Sequence, residues 1–313
     1  MTEKFKYLKI ASFISIILVI IIVLSVLINP AKTNAGVEKI DKVVDEIKKE
    51  DENSIDVIVL GDSEAFRSIT PLEMYNDYGF TTYVGASPSQ TSYQAYEMLN
   101  TVLETQNPKL CILETNLFYR NFSINAVVVP KLEKKLTVFK YHNMWKGVID
   151  PDYSYDNIAS ANYKGYRYDK SVKPSKKINY MDFTESEASI SSNNRLYLDK
   201  ILELCEQEDI KLLLVSAPST KNWNYARHNG AEAFAEENDI PFIDFNLEES
   251  IKINWETDTF DRGDHLNYSG AHKVTQFLGK YLNDNYDLPD HRGDKTYESW
   301  ETILNSYLKK IGQ

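Results

Sequence analysis

The chain is poor in cysteine and has no excess of positive charge. Its two cysteines, Cys111 and Cys205, each lie in an apolar stretch, which favours two buried, unreactive thiols over a single disulfide. The formal net charge is −11. That sign argues against nucleic acid as a partner and against long-range attraction to an anionic polymer. Internal repeats and low-complexity segments are also missing, and 42% of residues are hydrophobic, enough to build a folded core.

Several motifs that identify common reactions are missing from the sequence. There is no Gly-x-Gly-x-x-Gly or Walker sequence for nucleotides and no His-Glu-x-x-His for zinc. A Gly-x-Ser-x-Gly nucleophile elbow is missing as well, so the common α/β-hydrolase layout is not supported. We predict that the protein uses no cofactor and no metal.

One long apolar run is present, close to the N-terminus. Ile10–Ile28 is uncharged, and Lys4, Lys6 and Lys9 precede it. At 1.5 Å per residue, a helix of this length spans about 28 Å, close to the roughly 30 Å of a bilayer's hydrocarbon core. Because the basic residues flank only one side, the N-terminus is predicted to be cytoplasmic and the rest exported. An uncleaved anchor is favoured, with signal-peptide cleavage after Ala35 as the alternative.

The pattern after this run predicts one large domain. Apolar runs that end in polar residues alternate with helical spacing, which favours a three-layer, flavodoxin-like α/β fold of about five parallel strands. The predicted strands are Ile55–Leu60, Thr81–Val84, Lys109–Leu113, Ile210–Val215 and Pro241–Phe245. The predicted segments are a cytoplasmic tail (1–9), a transmembrane anchor (10–29), a linker helix (30–54), the α/β domain (55–286) and a tail with a helix (287–313).

Residues 117–190 interrupt the alternation of strands and helices. They are rich in Tyr, Asn, Ser and Lys. So long a stretch without clear regular structure is usually functional, and we predict a lid or binding region, with a flexible insertion as the alternative.

A serine nucleophile needs a base within hydrogen-bond reach, an acid to orient that base, and donors for the oxyanion. Ser63 follows the first predicted strand, and His265 precedes the last helix of the domain. Three aspartates, Asp258, Asp261 and Asp264, come just before this histidine. The alternative interpretation of that segment is a solvated acidic loop.

In order and position, four short blocks resemble those of SGNH/GDSL hydrolases over roughly residues 55–285. They are Gly61-Asp62-Ser63, Gly85, Asn116 and the Asp…His pair. With the anchor and the Tyr-rich insertion, the chain is most similar to the membrane-anchored DltD-like and alginate acetylation-like branch. The resemblance implies that Ser63 is the nucleophile and His265 the base. It also implies three oxyanion donors: the backbone N–H groups of Ser63 and Gly85 and the side chain of Asn116.

The sequence departs from the family pattern in two blocks. The third block usually reads Gly-x-Asn-Asp, and here only Asn116 of it is kept. In the fourth block, the position three residues before His265 is occupied by Arg262. Asp261 is the preferred acid, since Gly263 could absorb the extra residue as a bulge; Asp264 is the alternative.

The resemblance implies an extracytoplasmic, membrane-anchored serine acyl transferase or esterase. It would act on O-acyl groups of a cell-envelope polysaccharide or teichoic-acid-like polymer through a Ser63 acyl-enzyme. A membrane-bound O-acyltransferase that supplies acyl groups is a further expected partner. The alternative function is a non-catalytic envelope-binding or assembly protein that retains the fold.

Overall fold

The computed structural model describes residues 3–27, 39–129, 163–177 and 179–312, together with Leu136 and Val138. Most of the predicted insertion and part of the predicted linker therefore lie outside the described residues. The chain divides into two compact units, one of residues 1–38 and 123–158 and one of residues 39–122 and 159–313.

The first unit contains helix α1, Glu3–Leu27. Within it, Phe5–Ser25 has a mean hydropathy of 2.8 over 21 residues, so it is long and apolar enough to cross a membrane. A signal sequence has the same length and composition, and the orientation of the helix stays a prediction.

The second unit is built on a sheet of five parallel strands in the order β2-β1-β3-β4-β5. This is the flavodoxin-like order, and the predicted α/β architecture is confirmed. The strands are β1 (Val57–Leu60), β2 (Thr82–Val84), β3 (Leu110–Glu114), β4 (Lys211–Ser216) and β5 (Phe242–Asp244).

Helices cover both faces of this sheet. They are α2 (Lys39–Ile47), α3 (Ser63–Ser68), α4 (Pro71–Tyr78), α5 (Ser92–Val102), α6 (Ser192–Gln207), α7 (Tyr225–Glu237), α8 (Tyr268–Asn285) and α9 (Glu298–Ile311). Ile58 and Leu60 of β1 pack among side chains of α2, α5, α6 and α7. Val57 and Val59 pack on the opposite face, among side chains of α3, α4 and α8. Burial on both faces explains why this strand appears in the sequence as a continuous apolar run.

The last helix, α9, packs against α4 and buries its apolar face there. Trp300 and Tyr307 are fully buried, in a cluster that includes Leu72 and Tyr75 of α4. Residues 287–312 therefore belong to the same compact unit as the sheet.

The two cysteines are free and buried, as predicted. A hydrogen bond with Cys205, together with burial, raises the pKa of the Cys111 thiol well above its ordinary value. This thiol therefore stays protonated and unreactive at neutral pH.

Candidate active site

The sheet topology places a crevice between β1 and β3. The chain leaves β1 for β2 on one side and then returns to β3 on the other, so the connections at the carboxyl ends of β1 and β3 diverge. In open α/β sheets, such a switch point is where ligands bind. Ser63 follows β1 and Asn116 follows β3 at this edge.

Three side chains form a chain of hydrogen bonds at this edge. Oγ of Ser63 lies 2.8 Å from Nε2 of His265. Nδ1 of the same imidazole lies 2.6 Å from Oδ2 of Asp261. With the ring proton on Nδ1, the imidazole donates to the carboxylate and accepts from the serine hydroxyl, so every partner is satisfied.

A tight turn brings Asp261 back onto His265. Arg262 and Gly263 have φ angles of +69° and +83°, and an antiparallel bridge pairs Thr259 with Leu266 across the turn. The Asp261 carboxylate also accepts the backbone N–H of His265 at 2.8 Å. Burial alone would raise the pKa of Asp261, but these hydrogen bonds outweigh it and hold that pKa below its ordinary value. Asp261 is therefore an anion at neutral pH.

The carboxylates of the other two aspartates contact side chains other than His265. Asp264 accepts from Nδ2 of Asn222 at 2.7 Å and lies 3.5 Å from Nζ of Lys221. Asp258 is buried and pairs with Lys273 at 2.7 Å. Neither carboxylate is hydrogen-bonded to the imidazole of His265.

The Gly-Asp pair before the serine shapes the start of α3. The Asp62 carboxylate accepts the backbone N–H of Glu64, which makes Asp62 the N-cap of the helix. A Cβ on Gly61 would lie 2.6 Å from Cβ of Glu114 and 2.9 Å from Cβ of Ala65, so only glycine allows β3 and α3 to approach so closely. Helix α3 is not among the predicted elements; its signal in the sequence is the capping residue Asp62.

The expected oxyanion donors differ in how they are bonded. Ser63 is the first residue of α3, and N–H groups of a helix's first turn have no acceptor within the helix. The Gly85 N–H donates to the carbonyl of Val59 at 2.8 Å. It extends the pairing of β2 with β1 by one residue, so the prediction of Gly85 as a free donor is wrong.

The third expected donor, Asn116, is buried between two charged groups. Its Nδ2 donates to Asp62 at 2.9 Å, and its Oδ1 accepts from Nη1 of Arg227 at 3.0 Å. Arg120 also pairs with the Asp62 carboxylate at 2.6 Å. These contacts orient the amide rigidly and leave one Nδ2 hydrogen outside them.

A second group of buried acids, not predicted from the sequence, surrounds the serine. Glu64 and Glu114 are each 1% exposed, and Asp62 is fully buried. Burial, and next the charge of Asp62, raise the pKa of both glutamates well above the ordinary value. Oε1 of Glu64 accepts from Asn222 at 2.6 Å, whereas Oε2 has no partner among the described residues. The signal in the sequence was a glutamate directly after the serine.

One set of side chains in the described part of the chain could hold a metal ion. Ligand atoms of Glu64, Asp264 and His265 lie within 4.8 Å of one another. Both ring nitrogens of His265 already take part in hydrogen bonds, and burial raises the pKa of Glu64 well above its ordinary value, which disfavours the anion that would bind a cation. A cation would have to displace Ser63 or Asp261 from the imidazole, so these residues fit a metal poorly.

Comparisons with known proteins return only distant similarity. No protein-family model and no curated protein matches the chain. Among solved structures, it is similar to a GDSL-like lipase from Bacteroides thetaiotaomicron, with 12% identity, a TM-score of 0.43, and 79% of this chain and 98% of that one covered. A candidate acylhydrolase from Bacteroides fragilis has 14% identity and a TM-score of 0.40, with 79% and 96% covered. A candidate lipolytic protein of the G-D-S-L family from Desulfitobacterium hafniense also has 14% identity and a TM-score of 0.40, with 74% and 99% covered. These TM-scores lie below 0.5 and do not identify the reaction, which we infer from the side chains.

Proposed function

We propose that the chain is a serine esterase or acyl transferase of the SGNH/GDSL type. One observation carries this proposal: the hydroxyl of Ser63, the imidazole of His265 and the carboxylate of Asp261 are joined by hydrogen bonds of 2.8 and 2.6 Å. This is the arrangement that a serine needs in order to lose its proton as it attacks a carbonyl.

In the first half of the proposed reaction, Oγ of Ser63 attacks the carbonyl carbon of an ester while Nε2 of His265 takes the hydroxyl proton. Asp261 stabilises the imidazolium that results. The tetrahedral intermediate collapses when the leaving alcohol accepts that proton from His265, which leaves an acyl group on Ser63. The Ser63 backbone N–H and the Asn116 amide are the proposed donors to the oxyanion.

In the second half, a hydroxyl group attacks the acyl-enzyme. His265 takes its proton and returns it to Oγ of Ser63, so the serine is regenerated. If the attacking group is water, the product is a free acid and the chain is an esterase. If it is a sugar or alditol hydroxyl, the product is a new ester and the chain is a transferase.

The finer assignment depends on the N-terminal helix and on the resemblance of the sequence. An apolar helix with lysines on one side supports a membrane-anchored catalytic unit outside the cytoplasm. The resemblance to the DltD-like and alginate acetylation-like branch supports O-acyl groups of a cell-envelope glycopolymer as substrates. A membrane-bound O-acyltransferase is the proposed partner, since an extracytoplasmic enzyme needs its acyl groups delivered across the membrane.

A serine-directed fluorophosphonate probe tests the proposal. The detergent-solubilised full chain should form one covalent adduct, mapped by mass spectrometry to Ser63. Ser63→Ala should remove both the adduct and the hydrolysis of a short-chain ester. Ser250→Ala, which changes an exposed serine, is the matched control and should leave both unchanged.

Two results would contradict the enzymatic proposal. One is equal ester hydrolysis by the wild-type chain and Ser63→Ala. The other is the absence of any adduct on Ser63 under conditions that label a known serine esterase. Either would favour a non-catalytic envelope-binding protein that retains the fold.

A further inference from the structure

The Arg67 side chain, one helical turn after the proposed nucleophile, contacts the backbone of Arg167, and both guanidiniums lie near the ring of Phe66. Nη1 of Arg67 donates to the backbone carbonyl of Arg167 at 2.8 Å. The Arg167 guanidinium lies 4.0 Å from the centre of the buried Phe66 ring. Both arginines are half-buried, and no carboxylate pairs with either among residues 39–129, 163–177 and 179–312.

Arg67 is positioned by the same helix as the serine. It follows Ser63 by four residues in α3, so the two side chains leave the same face of the helix. Its guanidinium lies 4.5 Å from the centre of the Phe260 ring. That ring stacks on the imidazole of His265, with the two centres 5.8 Å apart. Arg67 is therefore separated from the proposed catalytic base by a single aromatic ring.

The electrostatics of this pair are unfavourable without an anion. Burial lowers the pKa of both guanidiniums, and for Arg167 the positive charge of Arg67 lowers the pKa further, against a smaller opposing effect of Glu46. Both nevertheless stay charged, because an arginine in a protein does not lose its proton near neutral pH. When two positive charges are partly removed from water, a negative group that binds near both of them stabilises them.

The negative groups that face Arg67 satisfy it only in part. Asp169 and Asp261 raise its pKa, but neither forms a hydrogen bond with the guanidinium. Asp261 is bonded to His265, and Asp169 accepts from the backbone N–H and the hydroxyl of Ser171 at 2.8 and 2.7 Å. The donors of Arg67 and Arg167 that remain form planar forks, which suit the paired oxygens of phosphate and carboxylate groups.

We propose that Arg67 and Arg167 form an anion-binding subsite, and that the substrate is an ester whose alcohol part carries a phosphate or a carboxylate. This inference rests on the proposed esterase or acyl-transfer function and names its substrate class. The subsite supplies local attraction where the chain as a whole, with a net charge of −11, repels anions. It holds the polymer unit beside Ser63 so that the neighbouring O-acyl group reaches the nucleophile.

Two pairs of esters test the proposal and separate its two anions. The phosphate pair is the acetyl ester of glycerol 3-phosphate against that of glycerol. The carboxylate pair is an acetylated methyl glucuronoside against its uronic-acid methyl ester. The readout is acetate release by the detergent-solubilised full chain, expressed as the ratio of kcat/KM for the anionic ester to that for its neutral partner.

In at least one pair, the wild-type chain should favour the anionic ester. A charge-assisted contact of this kind corresponds to about a 10- to 100-fold change, so Arg67→Gln and Arg167→Gln should each lower that ratio by this factor. Arg195→Gln is the matched control, because Arg195 is half-buried on α6 and is paired with Glu237 at 2.7 Å. It should leave the ratio unchanged.

Calorimetric titration with glycerol 3-phosphate and with glucuronate measures anion binding without any turnover. Binding that weakens in Arg67→Gln, in a chain that cleaves no ester, would support the subsite and contradict the proposed function. Ser63-dependent cleavage with the same ratio in the wild type and both arginine variants, and no anion binding, would overturn the subsite alone. A chain that neither binds these anions nor cleaves the esters would overturn both.

Discussion

Asp261 and Asp264 lie on either side of a two-residue turn, yet their carboxylates have different partners. Asp261 contacts both the backbone N–H and Nδ1 of His265, whereas Asp264 contacts Asn222. We expect Asp261→Asn to lower kcat by up to about 10⁴, because an amide cannot stabilise the imidazolium and favours the wrong tautomer.

The matched variant for this prediction is Asp264→Asn, which makes the same chemical change three residues along the chain. It should cost far less turnover. Steady-state kinetics of both purified variants, with folding checked by circular dichroism, provide the measurement. The opposite ranking would transfer the orienting role to Asp264.

Glu64 gives the protein a specific dependence of stability on pH. Its pKa lies well above its ordinary value of 4.5 in the folded chain, chiefly because of burial. The stabilisation from the neutral carboxyl is complete below that ordinary value and is lost as the pH rises toward the folded-state pKa. Glu64→Gln keeps an acceptor for Asn222 but removes the ionisation.

We therefore expect the wild-type Tm to fall more than the Glu64→Gln Tm between pH 5 and pH 8. Differential scanning calorimetry of both proteins across this range provides the measurement. Glu114 titrates in the same sense and stays in both proteins, so the difference between the two Tm curves reports Glu64 together with its effect on Glu114. Parallel Tm curves would show that the folded and unfolded chains bind this proton equally, and so that the pKa of Glu64 is not raised in the folded protein.

At the scale of elements, the turn that carries Asp261 and His265 depends on Gly263. Its φ is +83°, and a Cβ there would lie 2.3 Å from Oγ1 of Thr220 and 2.7 Å from Oγ of Ser175. Gly263→Ala therefore adds a clash to a strained backbone. We expect it to destabilise the fold by about 1–3 kcal/mol and to lower turnover by disturbing the contact between Asp261 and His265.

Gly293→Ala is a matched control for the backbone term. Gly293 has a φ of +80°, but a Cβ there would meet nothing within 4 Å. That variant should lose about 1 kcal/mol of stability from conformational strain and keep full turnover. Urea titrations measure the stability of both variants, and ester hydrolysis measures their turnover. Equal effects of the two substitutions on turnover would show that the conformation of this turn does not affect catalysis.

At the scale of the whole molecule, the residues that flank the N-terminal helix predict on which side of a membrane the sheet lies. Lysines precede the apolar run of α1, so we predict a cytoplasmic N-terminus and an exported catalytic unit. A reporter that is active only in the cytoplasm, fused after Gln313, should be inactive.

The control for this topology experiment lacks residues 1–29, and its reporter should be active. A strong signal from a full-length fusion found in the membrane fraction would show that the orientation is reversed. A strong signal from a full-length fusion found in the soluble fraction would show that the apolar helix neither inserts nor directs export.

Much of the fold follows from the sequence because its signals are local. A strand buried on both faces needs a continuous apolar run, so β1, β3 and β4 are visible as such runs. An anchor-length helix needs the same signal over a longer stretch. Ser63 and His265 stand out for a similar reason, since each lies at the end of a predicted element.

The tertiary structure alone decided which side chains meet. Ser63 and His265 are 202 positions apart, and their contact depends on where β1 ends relative to the turn before α8. The bonding of the Gly85 N–H within the sheet, the burial of α9 and the approach of Arg67 to Arg167 depend on register and layer packing. A local pattern specifies which residues are apolar and where elements begin and end, but contacts between distant elements form only when the whole sheet and its helices are assembled.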